Sequence, residues 1–148
     1  GEKIVSLRKC VGRPSFSYSD FDAYVSATFY VIKTERYDMK YLTGLLNSTL
    51  IAFWLRNRGK MQGNNYQIDK EPLLQIPLKK ENDGKVANLV ASIIDRLKTN
   101  PQADTTSLEN QIDYLVYHLY NLTYDEVLVV DPNPPFTREQ YESGDYNE

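Results

Sequence analysis

Two side-chain types on which metal centres and redox sites depend are almost missing: the 148 residues hold one cysteine, Cys10, and one histidine, His118. A lone cysteine forms no internal disulfide, and the pair gives no ligand set for a metal. Cys10 reads as a half-buried strand residue and His118 as a structural or solvated one. None of the seven glycines stands in a G-x-G pattern. The strand–turn–helix cradle that brings bare backbone against a dinucleotide or S-adenosylmethionine therefore has no counterpart. No apolar run approaches the length of a membrane span, and the N-terminal residues lack the apolar core of a signal peptide. A cytoplasmic protein is the expectation.

The composition is that of a globular chain, with 41 % hydrophobic and 25 % charged residues, long enough to bury a real core. Twelve tyrosines are more than usual, and tyrosine is frequent at wet recognition surfaces. The net charge of -3 hides an asymmetry. Residues 1–80 carry 13 Lys and Arg against 7 Asp and Glu, a balance of +6, whereas residues 81–148 carry 4 against 13, a balance of -9. A basic half suits a polyanionic partner; the acidic half does not.

The opening K-I-V-S-L-R-K-C-V reads as a strand ended by Gly12 and Pro14, and Y-V-S-A-T-F-Y-V-I-K, Tyr24 to Lys33, as a second strand. S-F-S-Y-S-D-F-D between them reads as a polar, aromatic loop. From Asp38 a long helix is predicted, its buried face formed by Leu42, Leu45, Leu46, Thr49, Leu50, Phe53 and Trp54, with Gly59 closing it. A loop follows, with a short strand near Tyr66 to Ile68, and then L-L-Q-I-P-L, which Pro77 confines to an edge or a turn.

Val86, Leu89, Val90, Ile93, Ile94 and Leu97 form a helical stripe with Asp83 as cap. After the breaker N-P-Q-A-D-T-T, a Thr106–Glu109 capping box opens a second helix through Leu122, and the two helices form an antiparallel hairpin. Thr123 with Glu126 opens a short helix over 124–129. The fold class is α+β, organised as a basic region, 1–80, a helical hairpin, 81–130, and an acidic, proline-containing mobile tail, 131–148.

That tail contains Asn133-Pro134-Pro135-Phe136 after an apolar run. In enzymes that methylate a base amine, such a tetrapeptide holds the flipped base. Here no donor loop accompanies it, and Pro132 stops what precedes it as a helix, so the tetrapeptide reads as coincidence.

Several segments, in order, resemble a known family: K-I-V, the aromatic strand, L-L-N-S at Leu45 to Ser48, I-P-L at Ile76 to Leu78, and I-D-Y-L-V-Y-H-L-Y-N-L-T from Ile112 to Thr123. Together, over roughly residues 3–130, they resemble the TaqI-like C-terminal specificity domain. The resemblance implies the target recognition domain of an adenine-specific DNA methyltransferase or fused restriction–modification enzyme. It implies a non-catalytic fragment whose partners are double-stranded DNA and an upstream methyltransferase domain, the latter using S-adenosylmethionine; the parent enzyme also cleaves DNA in some members.

On that reading the residues that suit DNA lie in two stretches. R-N-R-G-K-M-Q-G-N-N-Y-Q concentrates Arg56, Arg58, Lys60, Gln62, Asn64, Asn65 and Tyr66. Arg and Lys match guanine acceptors, and Asn or Gln pairs bidentately with adenine. The second stretch offers Arg13 for a phosphate, Ser15 as a donor and Tyr18 for stacking. Lys33, Arg36 and Lys40 add non-specific charge or form a solvated face. The competing reading is a protein-interaction module of a phage-defence complex, self-associating through the helical hairpin.

Overall fold

Alternation in K-I-V-S-L sets Ile4 and Ser6 on one face of a strand, β1 (Lys3–Leu7), and both are buried. The computed structural model describes residues 1–7, 9–11, 13–21, 29–58, 60–62, 65–67 and 70–146, with the backbone alone for 9–11, 60–62 and 65–67. β1 is the centre of an antiparallel sheet between β3 (Phe16–Ser19) and β4 (Phe29–Ile32). Its register sets Ile4 opposite Tyr18 and Ile32, and Ser6 opposite Phe16 and Tyr30. A second antiparallel sheet is made by β2 (Lys9–Val11), β6 (Asn65–Gln67) and β5 (Lys60–Gln62), in that order.

The stretch expected as an aromatic loop thus contains a strand. F-S-Y-S alternates, and pairing with β1 buries Phe16 against the helices while Ser17 stays exposed. Of the strand expected at 24–33, residues 29–32 form β4, and 24–28 lie outside the described residues. The short strand near Tyr66 is β6, and Lys60–Gln62 pairs with it as a hairpin arm.

The long helix expected from Asp38 is two helices, α1 (Met39–Leu46) and α2 (Thr49–Arg58). Asp38 caps the first, accepting from the Tyr41 amide at 2.9 Å. Asn47 ends it because its side-chain amide competes for backbone partners: Nδ2 donates to the Thr43 and Phe16 carbonyls, and Oδ1 accepts from the Phe16 amide. Asp113, from another helix, then caps α2, its carboxylate accepting from the Thr49 amide at 2.9 Å and the Thr49 hydroxyl at 2.6 Å. The break resets the helical phase. Leu42, Leu45 and Leu46 are buried as expected, but beyond the break the buried positions are Ile51 and Leu55, with Leu50, Phe53 and Trp54 only half-buried.

A short helix, α3 (Lys70–Leu74), precedes an irregular strap. Ile76 anchors the strap in the core, Tyr120 Oη donates to the Pro77 carbonyl at 2.6 Å, and Tyr41 Oη donates to the Lys79 carbonyl. Helices α4 (Lys85–Thr99) and α5 (Thr106–Leu119) pack together as the expected hairpin. Their caps differ from expectation. Gly84, at φ 71°, opens α4, and Glu81 holds the free amides of Val86 and Ala87 at 2.9 and 3.1 Å, whereas Asp83 reaches only the Lys85 amide. Asp104, not Thr106, supplies the acceptor at the start of α5, at 2.9 Å from the Thr106 amide. α1 crosses α4 at Gly44, where an added Cβ would stand 2.7 Å from Val90 Cγ2. One hydrophobic core joins Ile4, Phe16, Leu45 and Leu55 to Val86, Val90 and Val116.

The expectation of a mobile tail is corrected for residues 131–146. Helix α6 (Tyr124–Val130) opens with the expected Thr123–Glu126 capping box, and a second box, Thr137 with Gln140, opens α7 (Arg138–Ser143). Phe136, Tyr141 and Tyr146 bury against Tyr114, Tyr117 and Val127 in an aromatic cluster of their own. Burial of these rings orders the proline-containing segment. Among the described residues five tyrosines, including Tyr41 and Tyr114, are interior groups rather than surface recognition residues. Among the described residues no helix is long and apolar enough to cross a membrane.

Candidate nucleic-acid interface

Cross-strand partners in an antiparallel ladder share a face, and neighbours along a strand alternate. In the second sheet Lys9 and Lys60 both stand opposite Gln67, and Val11 and Gln62 both stand opposite Asn65. Lys9, Val11, Lys60, Gln62, Asn65 and Gln67 therefore share one face, while Cys10, Met61 and Tyr66 share the other. Beside Val11, the first set combines two cations with three side-chain amides, the chemistry that contacts phosphates and base edges. The second is apolar apart from the tyrosine hydroxyl.

This register sorts the residues singled out in the sequence. Lys60, Gln62 and Asn65 fall together, and Tyr66 falls on the opposite face. Gln67, the last residue of the polar stretch, joins this face, as does Lys9, which lies in the opening strand outside the two candidate stretches. The side chains of Lys60, Gln62, Asn65 and Tyr66, and all of Asn64, lie outside the described residues. Arg56 and Arg58 occupy the last turn of α2 immediately before β5, and both are exposed. The Arg58 guanidinium lies 5.2 Å from the centre of the Trp54 ring, which holds it by a cation–π contact.

Arg13, Ser15 and Tyr18 belong to a different part of the molecule. The Arg13 guanidinium donates to the Asn47 carbonyl at the end of α1, where it satisfies an orphan acceptor. It also opposes the burial that pushes the Asp113 carboxyl upward, as do the two hydrogen bonds from Thr49. Tyr18 Oη donates to Glu2 at 2.6 Å, and this bond, more than burial, pushes its pKa up to about 12. Lys40 sits 5.8 Å over the Tyr18 ring. Ser15 is exposed beside them. Arg13 and Tyr18 are thus engaged within the fold. Together with Ser15 they line a cleft shared with Glu109, Asp113 and Asp131, a setting that disfavours phosphate.

The family model of the TaqI-like C-terminal specificity domain matches residues 1–78. No curated protein matches the chain. The matched stretch contains both sheets, α1, α2 and the strap as far as Leu78, whereas α4 to α7 lie beyond it. It also contains the whole polar face of β2–β6–β5. The family supports a role in DNA recognition within restriction–modification enzymes, and a specificity domain is non-catalytic by itself. With the match extending over more than half of its length, the chain belongs to the TaqI-like C-terminal specificity domain family.

Proposed function

We propose that this chain selects the target sequence for an adenine-specific DNA methyltransferase of a restriction–modification system. It does so by laying the Lys9, Lys60, Gln62, Asn65 and Gln67 face of β2–β6–β5 into the major groove, with Arg56 and Arg58 on the flanking phosphates. The observation that carries the reading is the register, which gathers cations and amides on one face of a narrow antiparallel ribbon. The major groove, about 12 Å wide, admits two strands, so the β6–β5 hairpin with Gln62, Asn65 and Gln67 reads the bases while Lys9 on the adjoining β2 falls toward the phosphates. Methyl transfer, and with it S-adenosylmethionine, is assigned on this reading to a separate catalytic region, which the lack of a G-x-G pattern in the sequence supports.

The test separates positioning from reading. A site is first selected from a randomised duplex pool, and affinity is then measured across salt concentrations. Lys60→Gln should weaken binding to every duplex and reduce the salt slope by about one, because one released counterion is lost. Gln62→Ala and Asn65→Ala should each cost about 1–3 kcal/mol on the selected site and little on random DNA. Equal losses on both kinds of DNA for Gln62→Ala and Asn65→Ala would refute base reading by this face.

A further inference from the structure

A cleft of about 780 Å³ opens between β3, the α1–α2 junction, α4 and α5. One wall is the α4 ridge of Val90, Ile93, Ile94 and Leu97. Val90 is buried at the helix crossing, Ile93 and Ile94 are half-buried, and Leu97 is 38 % exposed. The lining also includes Glu109 and Asp131, and Asp113, whose carboxyl accepts from Thr49. Among the described lining residues Arg13 is the one cation, and it is turned to the Asn47 carbonyl.

This pairing of surfaces selects among occupants. Glu109 and Asp131 beside one engaged guanidinium repel a polyanion, so duplex DNA is a poor fit. Beyond the buried Val90, the stripe continues outward as Ile93, Ile94 and Leu97 on one face of α4, an apolar ridge of the kind that receives the anchors of another helix. An acidic margin beside such a ridge complements Lys and Arg on the flanks of the incoming helix. We propose that the cleft docks a basic, apolar-faced helix of a protein partner. This goes beyond the DNA reading and uses a different part of the chain: β2–β6–β5 takes the polyanion, and the cleft takes a polycationic helix. The opposite charges of the two halves then keep each partner off the other's surface.

The test uses the whole chain and a labelled synthetic helix with Leu at i, i+3, i+4 and i+7 and Lys on its flanks. Two controls accompany it, one with Glu in place of Lys and one with the Leu positions scrambled around the helix. Anisotropy titration should show binding of the first peptide alone, weakening with salt. Glu109→Gln with Asp131→Asn, which preserves shape, should weaken it about fivefold, the modest effect of losing two solvent-screened ion pairs. Leu97→Lys, at a half-exposed position, should weaken it further. The duplex affinity of all these variants should not fall. Equal binding of the Glu peptide, or binding indifferent to both sets of variants, would overturn the proposal. So would amide shifts in the cleft produced by duplex DNA instead of the peptide, which would assign the cleft to nucleic acid.

Discussion

Replacing Gly44 with alanine tests how closely α1 and α4 are locked. The new methyl would stand 2.7 Å from Val90 Cγ2 and 2.9 Å from Val86 Cγ1, against an ordinary contact of 3.4–4 Å. Neither valine can swing aside cheaply, because a β-branched side chain in a helix has one strongly preferred rotamer. Both are also buried. The helices must therefore separate by a large part of an ångström, and such overpacking costs about 1–3 kcal/mol. Against this, alanine gains about 1 kcal/mol over glycine in helix propensity. The single variant should lose about 1 kcal/mol net.

The sharper reading comes from a double-mutant cycle with Val90→Ala. Alone, Val90→Ala should cost about 2–3 kcal/mol as a cavity. In the Gly44→Ala background it removes the nearer clashing methyl, so its cost should fall by about 1 kcal/mol or more. Urea midpoints at constant m-value measure all four corners. Additive costs, or a Gly44→Ala variant more stable than the parent by the full propensity gain, would show that the two helices do not meet as described.

Further outcomes follow from individual contacts. Asp113→Ala strips both acceptors from Thr49 and should cost about 1–3 kcal/mol, whereas Asp113→Asn keeps one acceptor and should cost less. Burial, the largest influence, raises the Asp113 carboxyl above its ordinary value. Its contribution to stability is therefore fully present below the unfolded pKa and is lost as pH rises through the folded one. Thermal melts should show Asp113→Asn gaining on the parent as pH climbs from about 4, and a constant gap would refute this. Phe136→Ala should cost about 3–5 kcal/mol by denaturant titration, an effect no mobile tail would show. His118 is stacked on Tyr141 and held below its ordinary pKa chiefly by burial, with the Tyr141 carbonyl partly opposing. A depressed histidine contributes stability above the unfolded pKa that is lost as pH falls through the folded one. The parent should therefore lose stability relative to His118→Gln on acidification from pH 7 to about 5; parallel pH profiles would count against it.

Local pattern was sufficient for what depends on one element at a time. The apolar repeats of residues 86–97 and 108–119 mark α4 and α5 because burial of a helical face requires that spacing. The Thr123–Glu126 box likewise marks the start of α6, since both its hydrogen bonds are local. The charge contrast and the family resemblance also come from sequence, and with them the polar stretch that holds half of the candidate interface.

Features made by distant residues were not legible in the same way. The α1–α2 break depends on Asn47 meeting Phe16 and on Asp113 reaching Thr49 across 64 positions, so helical periodicity ran straight through it. F-S-Y-S became a strand only because β1 offered it partners. Phe136, Tyr141 and Tyr146 look like part of a tail in the sequence because their burial exists only against α5 and α6. In the interface, the side-chain types were visible from the start, but which of them stand together was decided by pairing. A one-residue change of strand register exchanges the faces of a sheet; the β5–β6 pairing sets Lys60, Gln62 and Asn65 on one face and Tyr66 on the other, and only the ladder to the distant β2 brings Lys9 and Val11 to the first of these.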